Sequence, residues 1–186
     1  MTIYEAMKEL DELRNNIIVR QKKGLPFILA SVVIWLLITI VADIDLNIGL
    51  KNLLVFCCSA PLLPISWLIG KRIGVDIFEK GNELSQLGLL FTLNQVLYLL
   101  IVAWVFNAVP DKMIMVFAMV FGAHLLPYSW LYKSKAYRFF AILIPILALA
   151  LGSLCSGVIV AGAMVVVEIA FVLTLKQEMR RWRLLE

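Results

Sequence analysis

The sequence predicts an all-α membrane protein, a polytopic bundle of six transmembrane helices preceded by an amphipathic surface helix. Three observations carry that prediction. Hydrophobic residues fill 62% of the 186 positions, charged residues only 16%, and the mean hydropathy is +0.94. Soluble domains run near ~45–50% apolar and ~25% charged. Second, several apolar runs approach the ~20 residues a helix needs to cross a hydrocarbon core. Third, of the 17 Lys and Arg residues only Lys51 and Lys112 fall outside the N-terminal segment, the even-numbered loops and the tail. That asymmetry puts both termini on the cytoplasmic side.

Residues 1–24 mix Glu5, Glu9, Asp11 and Glu12 with Lys8, Arg14 and Arg20, which is not the pattern of a signal peptide. Thr2-x-x-Glu5 matches a capping box. Ile3, Met7, Leu10, Leu13 and Ile17 then fall near one helical face, as in a helix lying on the membrane surface or docking a partner.

Six spans are expected at about 25–43, 52–70, 86–107, 113–132, 139–153 and 157–175. Lys22-Lys23-Gly24 leads the first, and Asp43 and Asp45 close it. Lys71-Arg72 ends the second, and a polar loop with Asp76, Glu79, Lys80 and Glu83 leads to the third. Val109-Pro110-Asp111-Lys112 opens the fourth, Lys133, Lys135 and Arg138 precede a short fifth, and a tight turn at Ser153–Ser156 leads to the sixth. Lys176, Arg180, Arg181 and Arg183 make residues 176–186 a basic tail. Trp104, Trp130, Tyr132 and Tyr137 lie near span ends, where interfacial aromatics belong.

An internal echo runs through the first four spans. Ala60-Pro61-Leu62-Leu63-Pro64-Ile65-Ser66-Trp67-Leu68 returns as Ala123-His124-Leu125-Leu126-Pro127-Tyr128-Ser129-Trp130-Leu131, and Gly24–Leu29 aligns with Gly88–Leu93. Spans 1–2 and 3–4 therefore read as two copies of one hairpin, related by an axis along the membrane normal. Spans 5–6 lack the motif and form either a diverged third hairpin or an addition. Pro64 and Pro127 each remove an intrahelical hydrogen bond and are expected to kink their helices. Ser66 and Ser129 stand ready to satisfy freed carbonyls.

Chemistry has few places to reside. Glu168 is the formal charge inside a span, and a carboxylate there costs at least ~2.5–3.5 kcal/mol, so it should face the bundle interior. Gly157, Ala161 and Met164 share its helix face, and the small residues allow close helix approach. His124 is the single histidine. Glu168 lies ahead of Lys176, His124 ahead of Lys133 and Asn94 beyond Gln86, each by ~12–14 Å of helix. All three fall just short of the midplane of a ~30 Å core. Gln95 adjoins Asn94, and Tyr98 and Tyr128 sit one turn from Asn94 and His124. Spans 3, 4 and 6 are expected to join these groups in one layer. That layer is either a lock in which Asn94, Gln95, His124 and Glu168 hydrogen-bond one another, or a binding site or proton relay, and a neutral Glu168 bonded to His124 fits both.

Other classes find little support. The basic residues flank apolar spans, where they orient the chain and meet anionic lipid, so nucleic acid is not an expected partner. Cys57, Cys58 and Cys155 have no metal-ligand spacing and read as small packing residues. There is no H-E-x-x-H, no G-x-S-x-G, no phosphate-binding glycine loop and no second histidine for a bis-histidine haem. Neither an enzyme nor a metal or cofactor is expected.

Lys23–Ser31, Leu93-Asn94-Gln95-Val96-Leu97-Tyr98-Leu99-Leu100 and the run from Val109-Pro110-Asp111-Lys112 through His124–Pro127 to Trp130–Lys135 together resemble a family of small bacterial integral membrane proteins of unknown function. The resemblance extends from about residue 20 to the tail and is least distinctive in spans 5 and 6. It implies a multi-pass protein of the bacterial inner membrane and brings no activity or functional residue with it. Two functions remain open. One is a small transporter or permease-like protein for a small solute or proton. The other is a scaffold or accessory subunit that binds a protein partner, or a second copy of itself.

Overall fold

The computed structural model describes residues 2–79 and 81–183. Met1, Lys80 of the loop after the second span and residues 184–186 of the expected tail lie outside the described residues. All regular structure described is helical. Six helical stretches are long and apolar enough to cross a bilayer: Ile3–Asp43, Ile48–Ile73, Leu84–Ala108, Pro110–Leu131, Lys135–Leu154 and Gly157–Trp182.

Helix α1 (Ile3–Gln21) begins with the expected capping box, in which Glu5 N–H donates to Thr2 Oγ1 at 3.3 Å and Thr2 N–H to Glu5 Oε2 at 2.7 Å. Its apolar face meets protein only at the far end. Ile17 and Ile18 are buried, whereas Ile3, Tyr4 and Met7 are exposed. Polar contacts hold the second half in place. Arg14 donates to the Trp130 carbonyl, its guanidinium 4.5 Å over the Trp130 ring. Arg20 pairs with Glu79, and Asn82 donates to the Leu13 carbonyl at 2.8 Å. Lys133 bridges Asp11 at 2.8 Å and Asn15 at 3.0 Å.

Helix α1 hands over to α2 (Leu25–Asp43) through three successive left-handed residues, Lys22, Lys23 and Gly24 (φ 46°, 52° and 69°). Gly24 is required twice over, because a Cβ there would also lie 2.9 Å from the Tyr137 hydroxyl. Left-handed lysines cost about 1–3 kcal/mol each, and anchored side chains offset this: Lys22 donates to the Ile73 carbonyl and Lys23 pairs with Glu178.

The second and fourth spans are interrupted rather than merely kinked. The second consists of α3 (Ile48–Cys58) and α4 (Leu62–Ile73). Pro61 cannot donate, so the chain tightens into short turns, with Ser59 N–H on the Phe56 carbonyl at 3.1 Å and Ser59 Oγ donating to the same oxygen at 2.7 Å. After α5 (Leu84–Ala108), the fourth span comprises α6 (Met113–His124) and α7 (Leu126–Leu131), parted at Leu125, two residues before Pro127. In both spans a proline stands at the break, Pro61 in the second and Pro127 just beyond it in the fourth, because the ring forbids the hydrogen bond its own N–H would have closed one turn earlier.

Helix α8 (Lys135–Leu154) starts earlier than expected, capped by Ser134 Oγ accepting from Tyr137 N–H at 3.3 Å. Helix α9 (Gly157–Arg183) continues through the described part of the expected tail. Helix α2 lies centrally, packed on α9, α4 and α3, while α6 packs on α8 and α5. Trp35 of α2 is fully buried, its ring edge-on to Phe117 (5.7 Å) and Phe121 (5.9 Å) of α6. Helices α6 and α8 approach closely at Gly122, where a Cβ would fall 2.6 Å from Ile144 Cγ2 and Pro145 Cδ. Close approach of this kind is what holds helices together in lipid.

The clamp on α1 is sensitive to acid. The Lys133 ammonium, by hydrogen bond first and by charge second, holds the Asp11 carboxyl below its ordinary value of 3.8. A lowered folded pKa stabilises at all pH above the unfolded value, and that contribution is lost as pH falls through the folded one. Amide exchange in α1, corrected for intrinsic rates, is expected to accelerate between about pH 5 and pH 3 in the wild type. In Asp11→Asn the same amides are expected to exchange fast at both pH values.

Candidate functional site

Glu168 is fully buried, on a face of α9 that runs Ala161, Met164, Glu168, Phe171 and Leu175, all shielded from solvent. The expected interior orientation therefore holds, but the partner differs. Glu168 Oε2 is bonded to Ser31 Oγ of α2, and Ser31 also reaches the Ile28 carbonyl at 2.8 Å. Glu168 Oε1 has no hydrogen-bond partner among the described residues. Two further orphans lie nearby in the sequence of elements: Trp35 Nε1, one turn beyond Ser31, and Ser66 Oγ of α4.

The expected Glu168–His124 bond does not form. His124 ends α6, and its Nδ1–H bonds the Phe121 carbonyl of its own helix. The interruption at Leu125 leaves carbonyls near the end of α6 without helical partners, and the imidazole takes one of them. Its ring lies between Phe121 (5.3 Å) and Tyr128 (6.1 Å). From there a run of aromatic rings continues through Tyr132 and Tyr137 to Phe171 of α9.

The expected polar layer divides accordingly. Tyr128 faces α5, its hydroxyl 2.9 Å from Thr92 Oγ1 and 3.3 Å from the Gly88 carbonyl, to which it donates. Asn94, Gln95 and Tyr98 lie on α5, which packs on α6 and α7, whereas α9 packs chiefly on α2, α8 and α6. Asn94 and Gln95 are half-buried, Tyr98 is more open, and none of the three bonds to Glu168 or His124. Of the expected proline kinks, Pro127 stands at the start of α7 and Pro64 in the first turn of α4.

A second carboxylate extends the α9 face toward the Lys/Arg-rich end. Glu178 Oε2 lies 3.3 Å from the buried Lys23 ammonium and accepts from Ser134 Oγ at 2.5 Å, while Glu178 Oε1 accepts from Lys135 N–H at 2.8 Å. It thus answers the first turn of α8, where a negative charge is favoured. The Lys23 ammonium also lies 5.2 Å over the Trp182 ring. Burial pushes Lys23 below its ordinary pKa, and the Glu178 charge works against that shift. Between the two carboxylates stands Tyr137. It donates to the Lys23 carbonyl at 2.8 Å and is within electrostatic reach of both Glu168 and Glu178.

Sequence reasoning missed Ser31, Lys23, Glu178 and Ser134. The recurrence 164, 168, 171, 175, 178 is one continuous helical stripe, and that spacing was the signal for Glu178. Outside the same α2–α9 seam lies an apolar groove of about 390 Å³, lined by Leu29, Val32, Val33, Ile69, Ile169, Val172 and Leu173. The groove and the buried Ser31–Glu168 pair thus belong to the same two helices. Among the described residues no three His, Cys, Asp or Glu side chains converge as metal ligands.

The profile of DUF7010, described as a family of unknown function, covers residues 10–178. The chain belongs to that family. No curated protein and no solved structure matches it. The matched region of this DUF7010 member takes in both Glu168 and Glu178, together with Ser31 and Lys23.

The Lys23–Glu178 pair is expected to be asymmetric under mutation. Glu178→Ala leaves a buried ammonium without a counter-charge, a loss of about 3–5 kcal/mol. Lys23→Met leaves Glu178 its Ser134 and Lys135 donors and is expected to cost markedly less. Thermal unfolding of both variants in lipid checks this, and equal or reversed losses would refute the assignment of Glu178 as the hub.

Proposed function

We propose that this protein is a small transporter or permease-like protein of the bacterial inner membrane, with both termini cytoplasmic, in which Glu168 binds or passes on a proton or small solute. The carrying observation is a fully buried carboxyl group with one oxygen on Ser31 and the other without a hydrogen bond. An ionisable group inside a membrane is functional by default, since burying one for packing alone is costly. The local proton count supports the reading. The Ser31 hydroxyl has one proton but two acceptors, the Ile28 carbonyl and Glu168. A protonated Glu168 supplies the missing donor, and loss of its proton forces the serine to choose. The duplicated hairpin, with an interruption in the second helix of each copy, supplies two matching places where helices can pivot. In this reading Tyr137 and the Lys23–Glu178 pair form the cytoplasmic approach to Glu168. The chemistry is non-enzymatic and uses no cofactor.

Difference infrared spectroscopy in lipid tests this. A carboxylic-acid C=O band that responds to bulk pH and disappears in Glu168→Gln is the expected result, with proton or solute flux into liposomes lost in the same variant at unchanged expression. A band that ignores pH, with flux intact in Glu168→Gln, would sink the reading.

A scaffold or accessory subunit is the second reading, favoured by one observation. Ile3, Tyr4 and Met7 leave an exposed apolar stripe on α1, while the second half of that helix is clamped to the bundle. If this is the working surface, Ile3→Ser with Met7→Ser abolishes function in cells while Glu168→Gln is tolerated. The transporter reading requires the opposite pattern.

A further inference from the structure

An amide exposed to hydrocarbon finds no partner there, and such groups are costly unless another helix answers them. Asn94 is in this position. It lies ~15 Å along α5 from Leu84, at 1.5 Å per residue, near the middle of a ~30 Å core. It is half-buried, and its side-chain amide makes no hydrogen bond with any described residue. The face of α5 that packs on the bundle carries Phe91, Leu99, Val102 and Phe106. Asn94 lies at the edge of that face, in line with Leu87 and Val105, which pack on the bundle, and it borders a stripe with Leu90, Leu97, Ile101 and Trp104, which are 59%, 63%, 50% and 64% exposed. Asn94 and those four exposed positions alternate in steps of four and three. That is the 3.5-residue repeat with which one helix seats along another, and a single asparagine in such a seam fixes its register.

We propose that the chain forms a two-fold dimer through this stripe of α5, with the Asn94 amides of the two subunits hydrogen-bonded to each other in mid-membrane. Depth selects a second copy as the occupant. Copies inserted in the same orientation are related by an axis along the membrane normal, so each residue meets its own counterpart at the same level. A carboxamide carries both donor and acceptor, and is therefore complementary to itself where a lone acid or base is not. A lipid chain supplies neither group. An unrelated helix satisfies Asn94 only if it carries its own polar side chain at that depth. The dimer does not rest on the transport reading, because no residue of the Glu168 seam enters the interface.

The test is subunit counting by single-molecule photobleaching of the full chain in liposomes, over a series of protein-to-lipid ratios. Two-step bleaching is expected for the wild type. Asn94→Leu is expected to raise the dimer dissociation constant about 3- to 30-fold, the range for one interhelical hydrogen bond in a membrane. Asn94→Gln, which keeps donor and acceptor, is expected to lose less. With Cys57, Cys58 and Cys155 replaced by Ala, Leu97→Cys on the stripe is expected to cross-link between subunits and Val96→Cys, exposed but off the stripe, is not. Single-step bleaching of the wild type at every ratio overturns the proposal. So does equal cross-linking at 96 and 97, or a dissociation constant that Asn94→Leu leaves unchanged.

Discussion

The hydrocarbon core of a membrane offers no hydrogen-bond partner, so protein must answer every polar group carried into it. Most of this chain complies locally. Helices close their own backbone bonds, and the hydroxyls of Thr39, Ser153 and Thr174 donate to the carbonyl one turn back, at 2.7–2.8 Å. Ser59 and His124 turn to carbonyls three residues back beside the interruptions of the second and fourth spans. Glu168 cannot be answered this way. A carboxyl group has no carbonyl to donate to when ionised, and it must reach another helix. The pairing of α9 with α2 through Ser31 is the solution this sequence adopts.

That pairing orders what surrounds it. Once Glu168 faces Ser31, the residues at helical spacing on α9 are committed to the interior, and the stripe runs on to Glu178. There the same seam meets the left-handed turn before α2 and the first turn of α8. Gly24 lets the Tyr137 hydroxyl come close, and Tyr137 in turn packs on Phe171. The seam thus has a dry end at Glu168 and a polar end at Glu178, with tyrosine between them. Helix α5 stands apart from this arrangement, which is why its polar residues do not join Glu168.

Hydropathy and charge made the spans readable, because the bilayer imposes both length and flanking charge on each helix. The first span, 25–43, coincides with α2 (Leu25–Asp43). Interruptions were foreshadowed by Pro64 and Pro127, but not located. A proline disrupts the turn before it, and the residue at which the chain yields depends on which side chains can cap the loose carbonyls. Glu168 could be turned inward from its small neighbours, but not assigned a partner. Equal depth suggested His124 and Asn94, yet depth says nothing about azimuth, and helix order around the bundle decides who meets whom. Ser31 is one hydroxyl among several in the spans, each of which reads as bonding its own helix. Lys23 looked like an ordinary flanking charge, since a basic pair before an apolar run is what orientation alone demands. Glu178 was hidden by the arginines around it.

The Lys23–Glu178 contact also carries an instruction about time. A lysine held in a left-handed turn and shut away from solvent is a poor arrangement until its counter-ion exists. That counter-ion is encoded on α9, after every other described helix. Chains build from the N-terminus, and early segments settle first, so the joint between α1 and α2 stays unfinished while everything else is being made. When α9 arrives, one carboxylate closes that joint and the start of α8 together. The contact therefore acts as a clasp that only a chain extended through α9 can fasten, and a product cut short of it would leave its loose end in the form of an uncompensated charge.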